Sequence, residues 1–415
     1  MNKICHHCQA LKWKDEAPGM CCANGKVKIP VITAPPEPLR SLMTGVNAYS
    51  RHFLSNIRKY NNCFQMTSFG ASREIREQGF MPTVKAQGPI YHLHGLLVPA
   101  ENENNKFLQI FFMGNSDDEV NQRCENVSGF KRSIVHDLQN FFHRYNYVQE
   151  FKTSMENLTD DSLKILICAD RLPAGEHEQK YNAAKLDEPV IVIVGQDFDK
   201  RDILLHKRQS GLTRVSETHI SYDALQYPII YWQGQDGYHL TIKQVDPNTG
   251  NEAQRKTVSA MDSYAFRIMI RNTGSNHLLR CRHLLHQFLT DMYAKIESER
   301  LAYIRHNQRR LRADSYIHLH VRDAMINDDA QNTGQLVILP SSFTGSPRYM
   351  HEYVQDAMTY VRQNGRPDLF ITLTFNPKWT DIKEALLDGQ AAHDRHDIVA
   401  RVLGLKVKLL LNLLT

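Results

Sequence analysis

No window of this 415-residue sequence approaches the ~18 consecutive apolar residues that a membrane-spanning helix needs. The apolar ending VKLLLNLL is far too short for that role. The opening MNKICHHCQ lacks the apolar core of a signal peptide. A phosphate-cradling G-x-x-x-x-G-K-[ST] loop is also missing, so ATP hydrolysis by these residues has no support. Repeats and low-complexity segments are absent as well. Net charge is small: the formal +5 is too little to announce a nucleic-acid partner, so only its placement can argue for one. What remains is a globular chain, 42% hydrophobic and long enough for roughly three domains. Four of its eight cysteines fall within the first 22 residues. With no secretory leader, they point to a reducing compartment and to free or metal-bound thiols.

Those cysteines are spaced for chemistry. In Cys5-His-His-Cys8 a C-x2-C turn aims two thiolates at one tetrahedral centre, and Cys21-Cys22 can close it. This pattern predicts a small structural zinc site. Adjacent cysteines ligate together only with strain, so the last ligand stays open between that pair and His6 or His7. Two His-Leu-His pairs, His92/His94 and His318/His320, would face one side of a strand and could share a divalent ion. In a chain with 20 histidines such pairs arise by chance. Neither has an acidic or tyrosine cluster beside it, and we assign them no catalytic role.

The stretch from Gly334 to Trp379 reads as loop, helix, turn and strand. Ser346 can cap, Pro347 suits the first helical position, and Met350, Tyr353, Val354, Ala357, Met358 and Val361 form an apolar stripe that Gly365 ends. Phe370 to Asn376 then alternates strictly: Ile371, Leu373 and Phe375 share one face, and Phe370, Thr372, Thr374 and Asn376 the other. Two hydroxyls and an amide on that second face suit hydrogen bonds to phosphate or sugar. Further strands are expected at Ile90 to Val98, Lys106 to Met113, Pro189 to Val194 and Tyr227 to Trp232. Helices are expected near 131–145, 147–157, 381–387 and 397–413. The last of these carries an apolar face of Ile398, Val402, Leu405 and Leu409, to which the sequence offers only one strong strand as a partner.

Charge is concentrated between Ser263 and Arg322, where 11 Lys and Arg against 4 Asp and Glu give a net of +7. Leu278, Leu285, Phe288, Leu289, Met292, Ile296 and Tyr303 keep helical spacing, predicting one long helix or two in tandem. Beyond them Arg305, Arg309 and Arg312 recur at i, i+4 and i+7. If the helix continues, they make one basic face able to neutralise DNA phosphates without reading sequence.

The succession LPSSFTGSPRYM, QDAMTYVRQNGRPDLFITLTFNPKW and DRHDIVARV closely resembles the helicase-like N-terminal region of Helitron transposases, the rolling-circle Rep-helicase proteins. The N-terminal cysteine cluster, Trp13, the Cys21-Cys22 pair and the GKV-x-x-P run ending at Pro30 resemble the same family. So do IRKYNNCFQMTSFGA, GPIYHLHGLLVP, SYDALQYPIIY and GQDGY. Phe375 departs from the pattern, standing where the family would have a cysteine. The resemblance implies a nuclear protein that binds DNA, single-stranded above all. In the full-length family protein a metal-dependent nuclease, with magnesium or manganese held by a histidine pair, nicks the strand through a tyrosine, and an ATP-driven helicase unwinds it. That histidine pair and the tyrosines follow the FITLTFNP strand in the family. We therefore expect this chain to stop short of them and to be inactive alone, with no catalytic residue assigned.

The resulting expectation is an α+β chain: a zinc knuckle at 1–30, a proline-rich linker at 31–40, a mixed α/β region at 41–260, a basic helical segment at 261–330, and an incomplete Rep-type nuclease domain at 331–415. Its metal ligands would be Cys5, Cys8, Cys21 and Cys22; its DNA contacts Arg305, Arg309, Arg312, Thr372, Thr374 and Asn376. The alternative is a non-enzymatic, zinc-dependent nucleic-acid-binding module.

Overall fold

The computed structural model describes residues 1–65, 70–76, 84–91, 110, 115–126, 129–145, 190–192, 203–207, 211–215, 217–271, 276–307, 339–367 and 371–414. Helices dominate these residues, and the strands form small antiparallel sheets. Lys3–Ile4 pairs with Leu11–Lys12, Gly70–Arg76 with Val84–Tyr91, and Lys243–Val245 with Glu252–Thr257. Val190–Val192, Ile203–Lys207 and Gly211–Val215 make a three-stranded meander. Two compact units result: Met1–Met292 with Phe375–Thr415, and Tyr293–Thr374. None of the described helices is long and apolar enough to cross a membrane.

The centre of the first unit is helical. Arg132–Tyr145 forms as its apolar spacing predicts, burying Ile134, Val135, Leu138, Phe141 and Phe142. The expected helix at 147–157 lies outside the described residues, as do the strand at 106–113, apart from Ile110, and both His-Leu-His pairs. Of the strand expected at Ile90 to Val98, only Ile90 and Tyr91 are described, closing the strand that begins at Val84. Val190–Val192 is the centre of the one expected at Pro189 to Val194. The Glu119–Arg123 ion pair is fully buried at 3.3 Å, and Gln139 and the Cys63 carbonyl take up further guanidinium donors. A buried charge of this kind persists only when so satisfied.

Tyr227 to Trp232 is not the strand that its apolar run suggests. It winds through turns, buried on all sides, and side chains replace a sheet ladder in meeting its backbone. Asn61 donates to the Gln226 carbonyl and accepts from the Ile229 amide, and His277 Nε2 donates to the Ile229 carbonyl at 2.7 Å. Pro228, which has no N–H, suits such a path. The Pro30–Pro38 stretch is packed on the same core: Ile32 is buried, and the Trp232 indole N–H donates to the Thr33 carbonyl.

The long basic helix is two elements in tandem. A 3-10 turn at His277–Arg280 precedes Arg282–His306, and the break falls where Arg282 takes a positive φ of 44°. Leu278, Leu285, Phe288, Met292 and Ile296 are buried as their spacing requires, whereas Tyr303 is exposed. In the second unit Pro347–Asn364 begins and ends as expected: the Ser346 hydroxyl accepts from the Tyr349 amide, Pro347 opens the helix, and Gly365 follows it at φ 82°. Its stripe does not behave as a core face, since Met350, Tyr353, Val354 and Met358 are all exposed.

The strand expected at Phe370 to Asn376 is absent. Phe370 lies outside the described residues, and 371–376 pair with no strand among those described, leaving Ile371 and Leu373 exposed. Alternation sets which face would be apolar, but a strand exists only where a neighbouring ladder accepts its N–H and C=O groups. Asn376 instead builds a turn, its side-chain oxygen accepting from the Lys378 amide at 2.9 Å. Thr380–Lys383 is shorter than the helix expected there, and His396–Leu414 matches the last one.

That final helix does find a partner, and it is the N-terminus rather than a sheet. Ile398, Val399 and Val402 share a core with Trp13, Ile382 and Ala392, flanked by Met1, Ile270, Phe375, Trp379 and Leu405. Arg401 lies over the Trp13 ring, holds the Glu16 carboxylate through two contacts of 2.7 and 2.8 Å, and donates to the Leu11 carbonyl. Leu409, further along, is exposed. Truncation of a buried tryptophan costs about 3–5 kcal/mol. Trp13→Ala should therefore lower the stability of this unit by about 3 kcal/mol in a urea titration; a loss below 0.5 kcal/mol would place Trp13 outside the core.

Candidate metal centre

The Cys5–Cys8 turn is set by the short hairpin around it. The Cys5 amide donates to the Ala10 carbonyl, the Gln9 amide donates back to Cys5, and Gln9 takes φ 58° to close the loop. A second turn brings Cys21 and Cys22 to the same place: Ala23, Asn24 and Gly25 all have positive φ, and the Val27 amide donates to the Cys22 carbonyl at 3.1 Å. Left-handed residues in succession reverse the chain tightly, and this allows neighbouring cysteines to present their sulfurs to one point. The four Sγ atoms of Cys5, Cys8, Cys21 and Cys22 lie within 4.8 Å of one another.

This arrangement fits a metal. A tetrahedral site with ~2.3 Å metal–sulfur bonds has edges of about 3.8 Å, and Cys5–Cys22 and Cys21–Cys22 are each separated by 3.8 Å. The Gly25 amide donates to Cys22 Sγ at 3.2 Å, the kind of outer contact that orients a thiolate ligand. Arg271 donates to the Cys8 carbonyl and lies 3.8 Å over the Phe266 ring, placing a positive charge beside the cluster. Val27, Ile29, Val258, Phe266 and Met269 form its apolar surround.

Protonation shows the same crowding. The Cys8 thiol is held down to about 4, first by its hydrogen bond with Cys21 and in smaller part by Arg271. The shared proton pushes Cys21 the other way, and burial raises Cys22 to about 12. Four thiols this close share few protons comfortably, whereas a divalent cation lets all four ionise together. The seven described cysteines are all free thiols.

His6 and His7 are left out of the cluster. Their rings stack on each other at 3.9 Å on the exposed side, and His7 lies under Gly25, where an added Cβ would come within 2.7 Å of its ring. The open question of the last ligand thus falls to the adjacent cysteine pair, because the Ala23–Gly25 turn relieves the strain that a regular backbone would impose.

Arg305 is exposed in the last turn of Arg282–His306, while Arg309 and Arg312 lie outside the described residues. Thr372 and Thr374 are exposed in the second unit; Asn376 is exposed in the first, with its side-chain oxygen committed to its own turn. Sequence reasoning did not single out Arg271, Arg401 or Glu16, since isolated charges carry no periodic signal. The Gly25 next to the cysteine pair was the one available hint of the turn.

Cobalt(II) titration should give a single tetrahedral thiolate spectrum at one equivalent. Cys8→Ser or Cys22→Ser should weaken binding at least tenfold, and His7→Ala should leave it unchanged; a spectrum lost in His7→Ala would reinstate a histidine ligand. No curated protein matches the chain. Residues 263–415, which supply both Arg271 and the helix seated on Trp13, match the family model described as the Helitron helicase-like domain at N-terminus.

Proposed function

We propose that the chain is the N-terminal portion of a Helitron Rep-helicase transposase, a nuclear protein that holds single-stranded DNA for nicking and unwinding during rolling-circle transposition. The match over residues 263–415 carries this reading. In the cysteine cluster we place zinc as a structural ion: four sulfurs at tetrahedral spacing, enclosed by apolar residues, leave no open position for a substrate. Bound there, the ion would fix the two turns of the knuckle and through them Trp13.

DNA would be held by charge and hydrogen bonding. The +7 net charge between Ser263 and Arg322 supplies the electrostatic term, with Arg305, Arg309 and Arg312 in the leading role. Thr372, Thr374 and Asn376 would position the backbone and read no bases. The opening of a Rep-type nuclease domain is the part of the whole protein to which 331–415 would belong. Its chemistry, attack by a tyrosine on a phosphate polarised with magnesium or manganese, and ATP-driven unwinding are assigned to no residue of this chain.

The second reading, a zinc-dependent nucleic-acid-binding module with no enzymatic partner domain, draws on the cysteine cluster, which is complete without any further segment. The two differ in whether the chain belongs to a larger protein that nicks and unwinds the DNA it holds.

Fluorescence anisotropy with a single-stranded oligonucleotide across a salt series tests the common element. Affinity should fall steeply as salt rises, and Arg305→Ala should reduce the log–log slope by about 0.7. Binding that is indifferent to salt would remove the phosphate-contact reading. A metal-dependent nick by the chain alone would contradict the absence of an assigned catalytic residue.

A further inference from the structure

Four histidines meet where the 389–397 segment lies on the start of the Arg282–His306 helix. His286 is 6% exposed, and neither of its ring nitrogens has a hydrogen-bond partner of good geometry. The His396 ring stands 4.1 Å from it, nearly perpendicular, and the His283 ring 5.7 Å away on its own helix. His393 lies beside them, its Nε2 3.7 Å from Asp394. At His286 the packing favours the neutral ring: a proton there would place a charge against the His283 and His396 rings with little water to screen it.

The surrounding charges are largely committed elsewhere. On the 389–397 segment, the Asp394 carboxylate accepts from the Ala391 amide and faces Arg282 at 3.6 Å. Asp397 takes two contacts of 2.9 and 2.8 Å from the buried Arg395. From the Ile57–Phe64 helix comes Arg58, a further positive charge near His283, whose Nε donates to Gln287. His396 opens the His396–Leu414 helix, where the positive end of the helix dipole also disfavours a proton. Arg58 and the neighbouring rings thus oppose a proton on His283, while Asp394 and Asp397, paired with Arg282 and Arg395, favour protonation of His283 and His286 without offsetting burial. The segment is tied to the helix start by two short backbone contacts: Arg282 donates to the Gly389 carbonyl and Gln390 to the Leu279 carbonyl, both at 2.7 Å.

We propose that the His283–His286–His396 cluster is a pH-sensitive latch, holding the 389–397 segment on the start of the Arg282–His306 helix while its imidazoles are neutral and releasing the segment as they gain protons. Burial and the two neighbouring rings push His286 down to about 3, and burial lowers His283 as well. A folded-state value below the ordinary 6.5 means that the open form binds more protons. The closed form is therefore at full strength above about pH 6.5 and weakens as pH falls from there toward 3. For one imidazole the closed-to-open ratio should drop about tenfold between pH 7.5 and 5.5.

The test is hydrogen exchange of the full chain, loaded with zinc, over peptides covering 386–400 at both pH values, corrected for intrinsic exchange rates. Protection should fall about tenfold at pH 5.5, with peptides covering 1–30 unchanged, which separates the latch from loss of metal at the cysteines. In His286→Phe the protection at pH 7.5 should persist and its pH dependence should shrink. If that variant does not fold, His396→Gln, at a partly exposed position, should show the same shrinkage. Equal protection of 386–400 in the unaltered protein at the two pH values would overturn the latch, as would an undiminished pH dependence in the folded variants.

Discussion

The indole of Trp13 is the contact on which the first unit depends. It lies under the Arg401 guanidinium and within the apolar group formed by Ile382, Ala392, Ile398, Val399 and Val402, so that residues 385 positions apart, Glu16 and Arg401, become an ion pair. Contacts of such long sequence separation form only after the chain between them has organised, and they carry a large loop-closure cost. Here that cost is offset by a bidentate charge-assisted pair and a buried aromatic, each of which stabilises the other's geometry. Cys5 and Cys8 lie in the loop of the hairpin whose second strand, Leu11–Lys12, leads directly into Trp13.

This arrangement packs the N-terminal knuckle against the 263–415 segment that matches the Helitron helicase-like model. The Leu11 amide donates to the Ile270 carbonyl, Arg271 to Cys8, and Phe266 and Met269 pack on the cluster, all from the beginning of the matched 263–415 segment. The end of that segment closes over Trp13. The segment matched at one end of the chain thus packs, in three dimensions, against a cysteine cluster at the other.

Local signals in the sequence were good guides to local structure. Ser346, Pro347 and Gly365 delimit their helix because caps and φ preferences act within a few residues. The cysteine spacing foretold the cluster, since ligand geometry is also short-range. Where the outcome depended on distant neighbours, the sequence misled. Tyr227 to Trp232 is apolar because it is buried on every side, not because it is a strand, and Asn61 and His277 serve its backbone from far away. Ile371 to Asn376 alternates as a strand should, yet pairs with no described neighbour. The apolar face of the last helix was legible, but its partner, Trp13, was not, because no periodicity links residues at opposite ends of a chain.

A metal ion at the cysteine cluster would sustain the seating of the C-terminal helix on Trp13. The most direct measurement is amide hydrogen exchange over peptides covering 396–405, before and after the metal is removed with a chelator under reducing conditions. Protection there should collapse together with that of residues 5–25 when the metal leaves. Full retention of protection at 396–405 with an emptied cysteine site would contradict it.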